Sequence, residues 1–97
     1  MDAFQALLNQ VESRTRFSAH AKARIEQRGV DLTADDLARI DDAVDRMAAK
    51  GVRDALIYMS HGLAMVVSVK NRTVITALDD ASAKENIFTN IDSAAIL

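Results

Sequence analysis

His20, Arg24 and Arg28 recur every four residues, a spacing that lays them along one slowly drifting line of a helix surface. An imidazole in line with two guanidiniums has the parts to grip phosphate or an acidic partner, with the histidine as acid or base. The same line can pack beside a sheet and pair with acids such as Asp31, Asp35 or Asp36. The sequence places no second titratable group next to His20, so the structural use is the stronger reading. His61 stands before Gly62 at an expected turn tip, where an imidazole is ordinarily solvated. Asp41, Asp42 and Asp45 lie close together, but oxygen cages for cations need a shaped loop, and these three are expected to face outward from a helix. The chain has no cysteine, which excludes a disulfide framework and a thiolate metal site. The expectation is a protein without catalytic residues, cofactor or metal.

The basic line needs a helix to carry it. Ser18 can cap one running over residues 18–28, with Phe17 before the cap, Ala21 and Ile25 facing the core and Gly29 as the left-handed stop. A second helix is expected over residues 33–50. Thr33 is its N-cap, and Asp36 takes the third position of a capping box, where Glu or Gln is more usual. Leu32 can staple onto Leu37, and Asp35 and Asp36 complement the positive end of the dipole. Leu37, Ile40, Val44 and Met47 form the buried stripe, with Ala43 and Ala48 beside it, and Lys50-Gly51 closes the helix. Before both helices, Phe4, Leu7, Leu8 and Val11 have the spacing of an apolar stripe within residues 2–12. Such a short helix needs to dock on something, its own domain or a partner. Residues 13–16 read as a polar linker, so the division is an N-terminal amphipathic segment and linker at 1–16 and a single α+β domain at 17–97.

The strands follow. Residues 52–59 hold a first strand around Ala55-Leu-Ile-Tyr-Met59. The run from Leu63 to Leu78 is rich in Val, Ile and Thr, types that fit a pleated surface, and is broken once at Lys70-Asn71-Arg72. Asn tolerates a positive φ, so a two-residue turn at Lys70-Asn71 would close a hairpin pairing Val67 with Val74, Met65 with Thr76 and Leu63 with Leu78. The fold class expected is α+β, with two helices packed on a three-stranded antiparallel meander, plus the N-terminal helix and an apolar C-terminal tail. The middle strand is apolar on both parities, so its second face needs a cover too. Ser82-Ala-Lys-Glu85 is a further capping box, Ile87, Thr89 and Ile91 alternate with Phe88 and Asn90, and the tail ends Ser93-Ala-Ala-Ile-Leu97, fitting either strand or helix.

Bulk properties narrow the classes. A net charge of −2 gives nothing global for a nucleic-acid binder. No apolar run approaches the roughly 20 residues of a membrane span, and the N-terminus lacks the basic start and apolar core of a signal peptide. The expected partners therefore include no nucleic acid and no membrane.

Three motifs in order carry a resemblance: Phe17-Ser-Ala-His20-Ala-Lys-Ala-Arg24-Ile-Glu-Gln-Arg28-Gly-Val30, Val67-Ser-Val-Lys70-Asn-Arg-Thr-Val-Ile-Thr-Ala77, and Glu85-Asn-Ile-Phe-Thr-Asn-Ile-Asp92. With Phe4-Gln-Ala-Leu7-Leu8 ahead of them, they resemble a small family of flagellar operon proteins, encoded beside the hook-cap scaffold and the hook subunit. The resemblance spans nearly the whole chain and implies a process more than a chemistry: non-enzymatic accessory work in hook or rod assembly through protein–protein contacts. It implies a hook-cap or hook protein as partner, and a location in the cytoplasm or, by export through the flagellar secretion apparatus, at the flagellum. Two departures stand out. The chain is short where the family often carries a polar N-terminal stretch, and Ser93 stands where glycine is expected. A second resemblance, carried by His20-x-x-x-Arg24-x-x-x-Arg28-Gly followed by a helix and a meander, is to small ribonuclease domains of toxin–antitoxin systems. It would use His20, Arg24, Arg28, Lys70 and Arg72 on RNA, against an acidic total charge.

The contact surface expected from the sequence lies at the two ends. Phe4, Leu7, Leu8 and Val11 supply one apolar group, and Phe88 and Ile91, with Ile96 and Leu97, supply a second. An exposed apolar patch on a monomer marks an interaction site, here for a homodimer or a hook-related subunit. The alternative is that both ends close the free face of the sheet.

Overall fold

The computed structural model describes residues 3–10, 13–59, 62–79 and 93–97. Their elements run α1 (Ala3–Gln10), β1 (Arg16–Phe17), α2 (Ala19–Gln27), α3 (Ala34–Ala49), β2 (Asp54–Tyr58), β3 (Leu63–Ser68), β4 (Thr73–Asp79) and β5 (Ser93–Ile96). The class is α+β, as the patterning implies. The sheet is larger than a meander, however. The antiparallel trio β4-β3-β2 is present, but β1 adds in parallel outside β4 and β5 in parallel outside β2, giving the order β1-β4-β3-β2-β5.

Both helix starts are built as their residues dictate. Ser18 stays extended (φ −64°, ψ 159°) and its hydroxyl accepts from the Ala21 N–H. Thr33 and Asp36 complete a reciprocal capping box, each side chain accepting from the other's backbone N–H at 3.0–3.1 Å, which satisfies two of the helix's orphan donors. Gly51, at φ +76°, takes the left-handed position after α3, where a side chain would be strained. Leu37, Ile40, Val44 and Met47 are buried with Ala43, and Ala48 is exposed. They meet Ala21 and Ile25 of α2 and one face of the sheet, represented by Ala55, Ile57, Met65, Val67 and Val74, in a single core. On the opposite face Leu56 and Ala64 are also buried, with Tyr58, Val66 and Leu78 packed around them. The central strand thus carries apolar residues on both parities, with Met65 and Val67 buried on the helix side and Ala64 buried and Val66 half-buried on the other.

The hairpin register departs from the simple pairing. Val67 faces Val74, but Met65 then pairs with Ala77 and Leu63 with Asp79, not with Thr76 and Leu78. Val66 pairs with Thr76, so Ile75 is an extra residue on β4, a β-bulge. An extra residue reverses the face of everything beyond it. Val74 and Ala77 thus both bury on the helix side, Thr76 stays out of that core, and Ile75 is 45% exposed. The turn differs as well. The positive φ falls on Arg72, at +50°, and not on Asn71, whose amide instead donates to the Ser68 hydroxyl at 3.0 Å.

α1 lies on the same core. Phe4 is buried, and its ring meets Phe17 edge-to-face at 5.1 Å and 86°, the arrangement aromatic quadrupoles favour. Leu7 and Leu8 are half-buried against the core, and Lys22 donates to the Gln5 side chain at 2.8 Å.

Candidate functional site

The basic line sits on α2, and α2 hangs from the bulge of β4. The Ser18 hydroxyl that caps the helix also donates to the Ile75 carbonyl at 2.7 Å, and the Ser18 N–H reaches the Val74 carbonyl at 3.0 Å. Along the helix His20 is exposed and Arg24 half-buried. Arg28 pairs with Asp79 of β4 at 3.1 Å, so the acid that engages it comes from the sheet and not from Asp31, Asp35 or Asp36. Asp35 instead pairs with Arg39 one turn along α3. Both Arg28 and Asp79 remain substantially solvated, so their attraction is modest. Lys70, the fourth basic candidate, is exposed in the β3–β4 loop.

Arg72 belongs to a different cluster. Asp41, expected to face outward, is buried. Its Oδ1 accepts from the Thr15 hydroxyl at 2.6 Å and from the Ser13 hydroxyl at 3.3 Å, and its Oδ2 accepts from the Arg14 N–H at 3.2 Å. Asp45, one turn on, takes Arg14 on one oxygen at 2.6 Å and Arg72 on the other at 2.9 Å. Arg72 also donates through Nε to the Arg14 carbonyl at 3.2 Å, while its own carbonyl accepts from the Arg16 N–H at 2.7 Å. Residues 13–16, which read as a linker, are thus pinned between α3 and the hairpin tip. The pinning delivers Arg16-Phe17 to the edge of β4. The cluster fixes architecture: each carboxylate oxygen is already engaged, and the left-handed Arg72 is held by its side chain as well as its backbone.

Of the apolar candidates, Phe4 faces the core, Leu7 and Leu8 are half-buried against it, and Val11, Phe88 and Ile91 lie outside the described residues. His61 and the capping box at Ser82 also lie outside them. β5 is the outer strand of the sheet on the β2 side. Ala95 and Leu97 point to the helix-side core and are half-buried. Ala94 and Ile96, in register with Leu56 and Tyr58, are exposed, Ile96 at 86%. Among the described residues, Ile96 and Ile75 are the exposed large hydrophobic side chains.

Comparison with curated proteins and with solved structures gives no match in either set. Residues 73–96 match a family model described as "putative flagellar". The matched stretch, 24 of the 97 residues, opens at the start of β4 and closes at the end of β5, and over it the chain is similar to that family.

Proposed function

We propose that this protein is a non-enzymatic accessory factor of flagellar hook or rod assembly, acting through protein–protein contacts. The family match, which is consistent with a flagellar role, carries the reading. Where that match falls lends support. It takes in β5, the outermost strand on that side among the described residues, with its exposed Ile96, and exposed apolar side chains on a strand edge suit recognition of another chain. The partner in this reading is the hook-cap or hook protein, met in the cytoplasm or at the flagellum. No helix among the described residues is long and apolar enough to cross a membrane. The ribonuclease-like reading rests on the α2 line, where Arg28 is paired with Asp79 and the chain's net charge is −2, both unfavourable to holding a polyanion.

Deletion of the gene in a flagellated host tests the role. The expected result is loss of swimming with fewer completed hooks by electron microscopy, restored by the wild-type chain. Unchanged motility and hook number would overturn it.

A further inference from the structure

The outer edge of β5 has a geometry that matches itself. The Leu97 N–H donates to the Tyr58 carbonyl at 2.8 Å, so the odd-numbered residues of β5 turn their backbone groups toward β2. By the alternation of a strand, Ala94 and Ile96 turn their N–H and C=O outward. Among the described residues no strand lies beyond them. Protein edges are ordinarily blunted by charge, proline or a bulge. Ser93-Ala-Ala-Ile96 has neither charge nor proline, and it pairs with β2 in unbroken register.

We propose that β5 pairs antiparallel with β5 of a second copy, across a two-fold axis at Ala95. Residues directly opposite in an antiparallel pair share a face, so a self-pairing must set like parities against each other. Centring on Ala95 does this over the whole strand. Ala94 stands opposite Ile96 of the other copy and Ile96 opposite Ala94, at the positions whose outward groups exchange hydrogen bonds in both directions. Ala95 meets its own counterpart at the non-bonded position, where the Cα atoms approach to about 4.5 Å and a small side chain fits best. Each exposed Ile96 then lies over a small alanine and not over another isoleucine. The uncharged edge brings no like charges together at the axis, and the contact is isologous, as two-fold dimers require. Centring on Ile96 would set two isoleucines side by side and shorten the overlap. A pairing of four-residue strands covers well under the roughly 1,200 Å² of a standard stable interface, so the dimer is weak and concentration-dependent. This inference stands on the backbone geometry and does not rest on the flagellar role; it assigns to a second copy the edge that the flagellar reading offers to another chain.

Analytical ultracentrifugation of the full chain over a wide concentration range tests it, together with single-cysteine variants, each of which carries the sole thiol in a chain without cysteine. The apparent mass should rise from monomer toward twice that value with concentration, and Ile96→Lys should hold it at monomer with an unchanged circular dichroism spectrum. Under mild oxidation Ala95→Cys should cross-link to a dimer, because a 4.5 Å Cα separation lies within disulfide range. Ala94→Cys, which faces Ile96 of the other copy, should cross-link far less. The cysteine pair decides the matter if Ile96→Lys fails to fold. A wild-type chain that stays monomeric throughout would overturn the proposal, as would cross-linking equal at 94 and 95, or a monomer that engages a hook subunit through this edge instead.

Discussion

Replacing Asp41 by alanine removes the acceptor that holds residues 13–15 to α3. Its carboxylate takes one short bond, from the Thr15 hydroxyl at 2.6 Å, and two longer ones, from Arg14 N–H at 3.2 Å and the Ser13 hydroxyl at 3.3 Å. A hydrogen bond to a charged group contributes about 1.5–3 kcal/mol net. The three share one anchor and do not add in full, so the loss is about 3 kcal/mol. That figure includes the Thr15 hydroxyl, which loses its best partner on a residue that is buried in the folded chain. Alanine's better helix propensity returns about 0.5 kcal/mol. The net loss of about 2.5 kcal/mol should lower the melting temperature of a chain this size by about 10–20 °C. It leaves a folded protein if total stability lies in the usual range of about 5–15 kcal/mol. Asp42→Ala, an exposed neighbour on the same helix, is the control and should change stability by no more than about 0.5 kcal/mol. Adding Thr15→Val to Asp41→Ala should cost less than the sum of the two, since removing both partners leaves no orphaned hydroxyl. Thermal denaturation followed by circular dichroism reads these four variants, Thr15→Val alone included, against the wild-type chain. If Asp41→Ala and Asp42→Ala melt together, the pinning of residues 13–16 is not what secures β1.

Phe4→Ala deletes one ring of the Phe4–Phe17 pair and should destabilise the domain by about 3 kcal/mol; an unchanged melting temperature would mean that α1 does not complete the core. Ser18→Ala removes both the N-cap of α2 and its bond to the Ile75 carbonyl and should cost about 1–2 kcal/mol, with faster amide exchange concentrated in α2; exchange unchanged there would show that the bulge does not carry the helix. Purified protein should neither cleave RNA nor bind it with steep salt dependence, and toxicity on overexpression that His20→Ala relieves would restore the ribonuclease reading.

The parts of this fold visible in the sequence are those decided within a few residues. Ser18 and Thr33-x-x-Asp36 announce their helices because a cap is a local hydrogen bond, and Leu63 to Leu78 announces a hairpin because its chemistry breaks once. What the sequence hides is tertiary. β1 is two residues long, and its parallel partner lies more than fifty residues away. β5 is Ser-Ala-Ala-Ile, a string that serves strand or helix until β2 offers an edge. The bulge at Ile75 is invisible without α2, whose cap uses the carbonyl it exposes. Asp41 did leave a signal. Leu37, Ile40, Asp41 and Val44 follow the i, i+3, i+4, i+7 spacing of a buried stripe, and an acid on that stripe implies buried donors. The short hydroxyls Ser13 and Thr15 were the ones to look for. The basic line was legible as a line, but its partner Asp79 depended on how α2 lies against β4.

The most direct measurement of the functional account is a calorimetric titration of the purified chain against purified hook-cap and hook subunits. The account predicts saturable binding to at least one of them. Absence of binding to both would contradict the claim that this protein serves flagellar assembly through contact with them.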